Sequence, residues 1–192
     1  MIDVLALATY TFVMSITPGP NNVMLTASGA NFGFRRTLPH MAGIAVGFTV
    51  QSALVCLGLG AVPWLQVALA WAGGAYLVWM GWKLVGAGAV GDARAARPLT
   101  FIEAALFQSV NPKAWVFAVT VASLFMPHDS SPWAPVAAIT AVLLVVNLPS
   151  ITVWTLFGSA LRRFLDVPAR RRGFNALMAL ALVGTAVVMV SP

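Results

Sequence analysis

Six apolar stretches follow one another along the chain, and each is long enough to cross a lipid bilayer. A transmembrane helix needs about 20 predominantly apolar residues, and the short segments between the stretches carry the turn-forming and charged residues. The pattern therefore predicts an all-α integral membrane protein with six transmembrane helices. The stretches cover about residues 4–34, 40–61, 65–85, 99–126, 133–161 and 174–190.

Proline interrupts the first and the fourth of these stretches. The first contains the segment Thr17–Asn22 (Thr-Pro-Gly-Pro-Asn-Asn), and the fourth contains Asn111-Pro112-Lys113. Proline lacks a backbone N–H and clashes with the preceding turn, so it ends one helix and fits best at the first position of the next. We therefore expect each of these two spans to be a broken helix, with Asn111 capping the helix that begins at Pro112.

A lysine, Lys113, lies near the middle of the fourth stretch. A charge at the centre of a bilayer costs roughly 2.5–3.5 kcal/mol on insertion scales, so it is rarely kept without a use. The alternative is that the long side chain reaches the membrane surface. Helix N-termini are electropositive, and a broken helix in each half of a membrane protein is typical of a transporter's substrate site. Lys113 and the new helix therefore indicate a site for an anionic group.

The basic residues predict the orientation of the chain and its internal symmetry. Ten of the eleven Lys and Arg residues lie at the end of the first, third and fifth stretches or in the loops that follow them, and the eleventh is Lys113. Because cytoplasmic loops are rich in Lys and Arg, both termini are expected outside. Three spans are an odd number, so the second half enters from the opposite side. The prediction is one transporter domain, 1–192, built as a 3+3 inverted repeat of about 1–86 and 99–192, with a linker at 87–98.

Composition agrees with a membrane protein and excludes several other classes. The chain is 60% hydrophobic and 8% charged, whereas soluble domains carry about 25% charged residues. The net charge of +6 does not indicate nucleic-acid binding, since the charges lie in short loops rather than on a basic helix face. The single cysteine, Cys56, excludes a thiol–disulfide carrier. His40 and His128 are far apart and lack acidic partners, so neither a metal nor a cofactor is expected.

Several further polar residues lie within the spans. Gln51 and Asn147 occupy the second helices of the two halves, and Gln108 precedes the second break. Such residues either contact a substrate or join helices by hydrogen bonds, and both interpretations stay open. Glu103, near the inner end of the fourth stretch, is a candidate for ion coupling, and the alternative is a favourable charge in the first turn of a helix.

The two proline motifs together resemble those of the LysE/RhtB family of amino-acid exporters. Thr17-Pro-Gly-Pro-Asn21 after a short apolar run and Gln108-x-x-Asn111-Pro-Lys113 in the fourth run carry the resemblance, which extends over the whole chain. It implies a bacterial inner-membrane protein that exports amino acids, with proton-gradient coupling. RhtB-like members are associated with neutral substrates such as homoserine, threonine and leucine, and LysE members with basic ones. The motif residues that it assigns to the site are Thr17, Pro18, Gly19, Pro20, Asn21, Asn111, Pro112 and Lys113.

The residues themselves allow a mechanism and leave alternatives. The substrate carboxylate would lie between the two helix starts beside Lys113, and carbonyls freed by the prolines would receive the ammonium. No acid lies at mid-depth, which favours a neutral, zwitterionic substrate over a cationic one. The alternatives are an ion or other small-solute carrier, an intramembrane enzyme, and a structural membrane partner. A homodimer is compatible with the sequence. The proposed substrate-contacting residues beyond the family motif are Asn22, Gln51, Gln108 and Asn147.

The orientation can be tested with reporter fusions, because the two sides differ so strongly in positive charge. A cytoplasmic C-terminus would contradict both the six-span count and the inverted repeat. Fusions after Arg36, Arg94 and Arg170 are expected to report the cytoplasm, and fusions after Val62, Asp129 and Pro192 the outside.

Overall fold

A computed structural model of the chain describes residues 2–58, 63–86, 97–127 and 131–190. In this part of the chain the regular structure is helical, with a short 3-10 turn at Phe164–Asp166. The predicted linker falls largely outside the described residues, and so does His128. The helices are α1 Val4–Ile16, α2 Pro20–Phe32, α3 Phe34–Cys56, α4 Pro63–Gly86, α5 Phe101–Val110, α6 Pro112–Phe125, α7 Trp133–Leu161 and α8 Pro168–Val190.

The two predicted helix breaks are present, and each lies at its proline motif. α1 ends at Ile16 and α2 begins with Pro20, while α5 ends at Val110 and α6 begins with Pro112. Both prolines occupy the first position of a helix, where the missing N–H has no cost. The side-chain oxygen of Asn111 accepts a hydrogen bond from the backbone N–H of Lys113 at 3.2 Å, so the predicted cap is confirmed.

Two helices begin earlier than the apolar pattern predicts. α3 starts at Phe34 rather than at residue 40, so Arg35 and Arg36 form its first turn. α8 starts at Pro168 rather than at residue 174. The reason is that hydropathy marks the part of a helix that lies in lipid, whereas the helix itself continues into the polar region until a stop signal. Gly33, with φ +83°, supplies that signal before α3.

Helices of the first half of the chain pack mainly against helices of the second half. α3 packs against both α5 and α6, and α7 packs against both α1 and α2, while α4 lies along α8. The long helices α3 and α7 also contact each other at the centre. Both broken spans are therefore held by a long helix from the other half of the chain, and this arrangement brings the two breaks toward the middle of the molecule.

Glycines allow the closest helix contacts. A Cβ added at Gly43 would meet the carbonyl oxygen of Phe101, and one added at Gly47 would lie 2.6 Å from the Cα of Ala105. These two residues form a small-xxx-small pair on α3 that faces α5, a spacing that is typical of close helix packing. On the other side of the molecule, Gly29 of α2 and Gly158 of α7 each face the backbone of the other helix.

Many large apolar side chains face outward, while several polar side chains of the spans are buried, which is typical of a protein that lies in lipid. Leu5, Leu124 and Val188 are 78%, 69% and 76% exposed, whereas asparagines and glutamines of the spans are buried. Three of the described helices, α3, α7 and α8, are long and apolar enough to cross a membrane. The buried polar set includes Asn22, Gln51, Gln108, Asn111 and Asn147.

Substitution of Gly158 by alanine tests the close contact of α2 with α7. The added methyl group would meet the carbonyl oxygen of Thr26, and overpacking of this kind costs about 1–3 kcal/mol. Gly184→Ala is the matched control, because nothing lies within 4 Å of its added Cβ and alanine favours a helix by about 1 kcal/mol over glycine. Thermal unfolding in detergent should show a lower midpoint for Gly158→Ala alone. Equal midpoints for the two variants would contradict the contact.

Candidate functional site

The ammonium group of Lys113 joins the two helix breaks. Its Nζ donates hydrogen bonds to the carbonyl oxygen of Thr17 at 2.8 Å, to Thr17 Oγ1 at 2.9 Å and to the carbonyl oxygen of Pro18 at 3.2 Å. Nearly a hundred sequence positions separate these residues. Lys113 is half-buried at the start of α6, and its ammonium group lies against the loop between α1 and α2. The two breaks are therefore in direct contact in the folded chain.

The carbonyl groups released at the first break all have donors. Asn22 Nδ2 donates to the carbonyl oxygens of Ser15 at 2.9 Å and Thr17 at 2.8 Å, and Trp154 Nε1 donates to that of Ile16 at 3.2 Å. Lys113 completes the set at Thr17 and Pro18. Within a bilayer each unsatisfied backbone group costs several kcal/mol, so these side chains are what makes a mid-membrane break tolerable.

Asn21 and Gln108 form a reciprocal pair of amide hydrogen bonds. Asn21 Nδ2 donates to Gln108 Oε1 at 2.9 Å, and Gln108 Nε2 donates to Asn21 Oδ1 at 3.1 Å. Gln108 is fully buried and also donates to the carbonyl oxygen of Ala104 at 2.9 Å. The pair joins the start of α2 to the last turn of α5 and is a second contact between the halves, beside that of Lys113.

A small cavity lies between the two breaks. Its volume is about 40 Å³, which gives room for water molecules but not for an amino acid. The start of α2 points at it, and no side chain caps that helix. The site therefore combines an uncapped helix N-terminus with a lysine ammonium group. The lining residues are Met14, Ser15, Gly19, Pro20, Asn21, Asn22, Phe48, Asn111, Lys113, Ala114, Phe117, Asn147 and Ile151.

Most of the proposed site residues lie at this cavity or one contact away. Asn147 reaches it from α7 and donates through Nδ2 to Ser15 Oγ at 3.1 Å. Its Oδ1 is buried without a hydrogen-bond partner in the described part of the chain. Gln51 is different, because it is buried in α3 and is not among the residues that line the cavity.

Glu103, the candidate for ion coupling, lies away from the cavity at the N-terminus of α5. It forms a capping box with Thr100, and its carboxylate receives two hydrogen bonds from Arg97 at 2.6 and 2.7 Å. These contacts match the alternative interpretation, a favourable charge in the first helical turn. A role of Glu103 in coupling stays a prediction.

Several residues of the site carry no recognisable signal in the amino-acid sequence. Trp154 and Ser15 were not proposed, because a tryptophan or a serine in an apolar span has many ordinary roles. Phe48 and Phe117 were missed because apolar residues that line a cavity look the same in sequence as those that face lipid. Their rings pack edge to face at 4.7 Å between centroids and form an apolar wall opposite the polar groups.

Comparison with known proteins identifies the family. The model of the LysE type translocators matches residues 12–191. The chain belongs to the LysE type translocator family. The resemblance found in the two proline motifs is thereby confirmed, and the chain is a membrane transporter rather than an enzyme. No solved structure is significantly similar to it.

Curated relatives of this LysE-type translocator cover nearly its whole length. It is 32% identical over 184 residues to the "Cysteine/O-acetylserine efflux protein" of Escherichia coli (strain K12), and the alignment covers 93% of each chain. The proteins of the same name from Shigella sonnei (strain Ss046) and Shigella flexneri show the same identity and coverage.

Gly19→Ala is expected to displace Lys113 from the first break. The added Cβ would lie 2.7 Å from Lys113 Cδ, so the side chain must move away from the carbonyls that hold it. Lys113 should then react faster with acetic anhydride, as measured by peptide mass spectrometry. The chain's other lysine, Lys83, is the internal control. Gly86→Ala, whose added Cβ would have none of the described residues within 4 Å, should change neither lysine. Unchanged reactivity of Lys113 in Gly19→Ala would contradict the tether.

Proposed function

We propose that this LysE-type translocator exports small neutral amino acids across the bacterial inner membrane, with the cavity at Lys113 as the substrate site. The observation that carries the proposal is the position of the Lys113 ammonium group between the two helix breaks. The relatives named cysteine/O-acetylserine efflux proteins support the class of substrate, since both of those compounds are small and zwitterionic at neutral pH.

The carboxylate of the substrate binds at the start of α2 beside Lys113. Helix N-termini bind anions through their free N–H groups and their dipole, and α2 has no side-chain cap that would compete. In the structure Lys113 is bound to the carbonyl oxygens of Thr17 and Pro18. A carboxylate attracts the ammonium group more strongly than a neutral carbonyl does, so substrate binding shifts Lys113 from the break to the ligand.

The ammonium group of the substrate takes the acceptors that Lys113 leaves. These acceptors are the carbonyl oxygens of Thr17 and Pro18. Asn147 Oδ1, which has no hydrogen-bond partner in the described part of the chain, is a further acceptor. No carboxylate lines the cavity, so nothing there stabilises a second positive charge on the side chain of the substrate. The site therefore favours neutral amino acids over basic ones.

Six spans in two inverted halves fit the packing of the helices. If α1/α2 and α5/α6 are equivalent broken spans, α3 corresponds to α7 and α4 to α8. The contacts of α3 with α5 and α6 then mirror those of α7 with α1 and α2, and α4 pairs with its own equivalent, α8. We propose this inverted repeat, with both termini outside the cytoplasm, as the architecture of the carrier.

Transport requires the two halves to move, because a cavity of about 40 Å³ is too small for an amino acid. Alternating access around a central site is the usual mechanism for inverted repeats. The contacts that must open are those between the halves at the site, namely the Asn21–Gln108 pair and the Lys113 tether. We propose that the proton gradient drives export, as the resemblance to the LysE/RhtB family implies.

An ion carrier is the main alternative, and the described residues do not favour it. They contain no group of three or more His, Cys, Asp or Glu side chains that would hold a metal ion. The groups that converge on the central cavity are a lysine, a helix start and neutral amides, which match a zwitterion better than a free cation.

Lys113→Met is expected to abolish export. A hydrogen bond to a charged group contributes about 1.5–3 kcal/mol, which corresponds to a roughly 10- to 150-fold loss of affinity. Removal of the charge should not impair insertion, because an intramembrane charge is itself costly. The measurement is uptake of labelled O-acetylserine, cysteine and a panel of other amino acids into everted membrane vesicles, with and without a protonophore.

Lys83→Met is the matched control, since Lys83 is the only other lysine and lies over the ring of Trp79, away from the site. It should transport at the wild-type rate. Full transport by a properly inserted Lys113→Met protein would contradict the carboxylate role of Lys113. Absence of uptake for every amino acid in the wild type would contradict amino-acid export.

A further inference from the structure

A second cavity lies beside the first, at the end of the molecule that carries the arginines. Its volume is about 270 Å³, several times that of the central cavity. The walls come from α2, α3, α4, α8 and the segment before α5. Met24, Met80, Leu84 and Leu182 form its apolar part, and polar groups are gathered on the remaining side.

Three arginines from three separate segments line this cavity, namely Arg36, Arg97 and Arg171. Arg97 is neutralised by its ion pair with Glu103. Arg171 donates through Nε to the carbonyl oxygen of Leu165 at 3.2 Å and keeps its charge unpaired in the described part of the chain. Among the described residues, the lining of the cavity therefore has a net positive charge from Arg36 and Arg171, which favours an anionic group.

His40 supplies a second and independent indication of a ligand. It lines the cavity from α3 and is only 2% exposed, yet neither ring nitrogen has a hydrogen-bond partner in the part of the chain that the structure describes. Buried polar groups are nearly always hydrogen-bonded, so such an exception needs an explanation. The protein covers both ring nitrogens, so a ligand in the cavity would supply the missing partner once the imidazole turned toward it.

The two cavities lie one after the other along α2. Asn21 lines the central cavity, while Met24, Ser28 and Asn31 line the second one, and these positions share one face of the helix by their spacing. The Asn21–Gln108 pair lies at the boundary. Met24 belongs to the same buried apolar cluster as Phe107. A solute that moved along this face would pass from the second cavity to Lys113 once those contacts opened.

We propose that the second cavity is a cytoplasmic vestibule, in which the amino acid binds through its carboxylate before it reaches Lys113. The identity of the ligand as an amino acid and the cytoplasmic side rest on the proposed function. Arg36 and Arg171 attract the carboxylate and His40 hydrogen-bonds the bound solute, while the Asn21–Gln108 pair separates the vestibule from the central site.

An anionic lipid headgroup is the other source of a negative group at such a place, since basic clusters at the cytoplasmic ends of helices attract acidic lipids. A headgroup stays at the membrane surface, whereas His40 lies inside the cavity with 2% of its surface exposed. The polar face of α2, which continues to the central site, also fits a solute in transit better than a lipid.

The test uses one cysteine in the vestibule, introduced as Ser28→Cys in a Cys56→Ala background. The protein is reconstituted in vesicles of neutral phosphatidylcholine and treated with a negatively or a positively charged methanethiosulfonate reagent. Each rate is divided by the rate of the same reagent with a free thiol in solution. The negatively charged reagent should react several-fold faster, and Arg36→Gln with Arg171→Gln should remove that preference.

Protection by O-acetylserine distinguishes the vestibule from the central site. O-acetylserine should slow the labelling, and His40→Phe should raise the concentration needed by about tenfold, the effect of one lost hydrogen bond. Lys113→Met should leave protection intact while transport is lost, because the vestibule does not use that lysine. If O-acetylserine protects the cysteine but the carrier transports no amino acid, the result would support the vestibule and contradict the proposed export.

Three results would overturn the vestibule. The first is equal rates for the two reagents. The second is a carrier that transports O-acetylserine without any protection of the cysteine, and in that case export stands. The third is protection that depends on cardiolipin in the vesicles and not on the amino acid, which would make the cavity a lipid site.

Discussion

The structure depends on the bond between the Lys113 ammonium group and the carbonyl oxygens of Thr17 and Pro18. A helix that stops inside a membrane leaves carbonyls that need donors, and a lysine inside a membrane needs acceptors. Each feature would be costly alone, and together they satisfy each other. The site is stable for this reason. In the proposed mechanism, the carboxylate of the substrate replaces the two carbonyls as the partner of Lys113, and the ammonium group of the substrate replaces Lys113 as the donor to them.

Helix packing sets the position of the Lys113 site in the molecule. The glycines at positions 29 and 158 hold α2 close to α7, and those at 43 and 47 hold α3 close to α5. Each pairing combines one helix from the first half of the chain with one from the second. The breaks lie where these two tightly packed pairs meet, so a shift of one pair against the other would change the contacts of Lys113 before it disturbed the glycine contacts.

The sequence predicted the features that depend on local rules of helix formation. Proline fixes where a helix begins, and asparagine before it caps the new helix, so both breaks and the Asn111 cap followed from short segments. Tertiary partners have no such rule. The pairing of Asn21 with Gln108, the donor role of Trp154 and the arginine-lined cavity around His40 depend on how helices lie against each other, and apolar lining residues such as Phe48 are indistinguishable in sequence from those that face lipid.

A crystal structure of the carrier with a bound amino acid would test the central claim most directly. Lys113 is predicted to leave the carbonyls of Thr17 and Pro18 and to lie within hydrogen-bond distance of the carboxylate of the ligand, at the uncapped start of α2. The ammonium group of the ligand should then occupy the vacated carbonyls. A structure in which Lys113 still binds Thr17 and Pro18 while the amino acid is bound elsewhere would contradict the account.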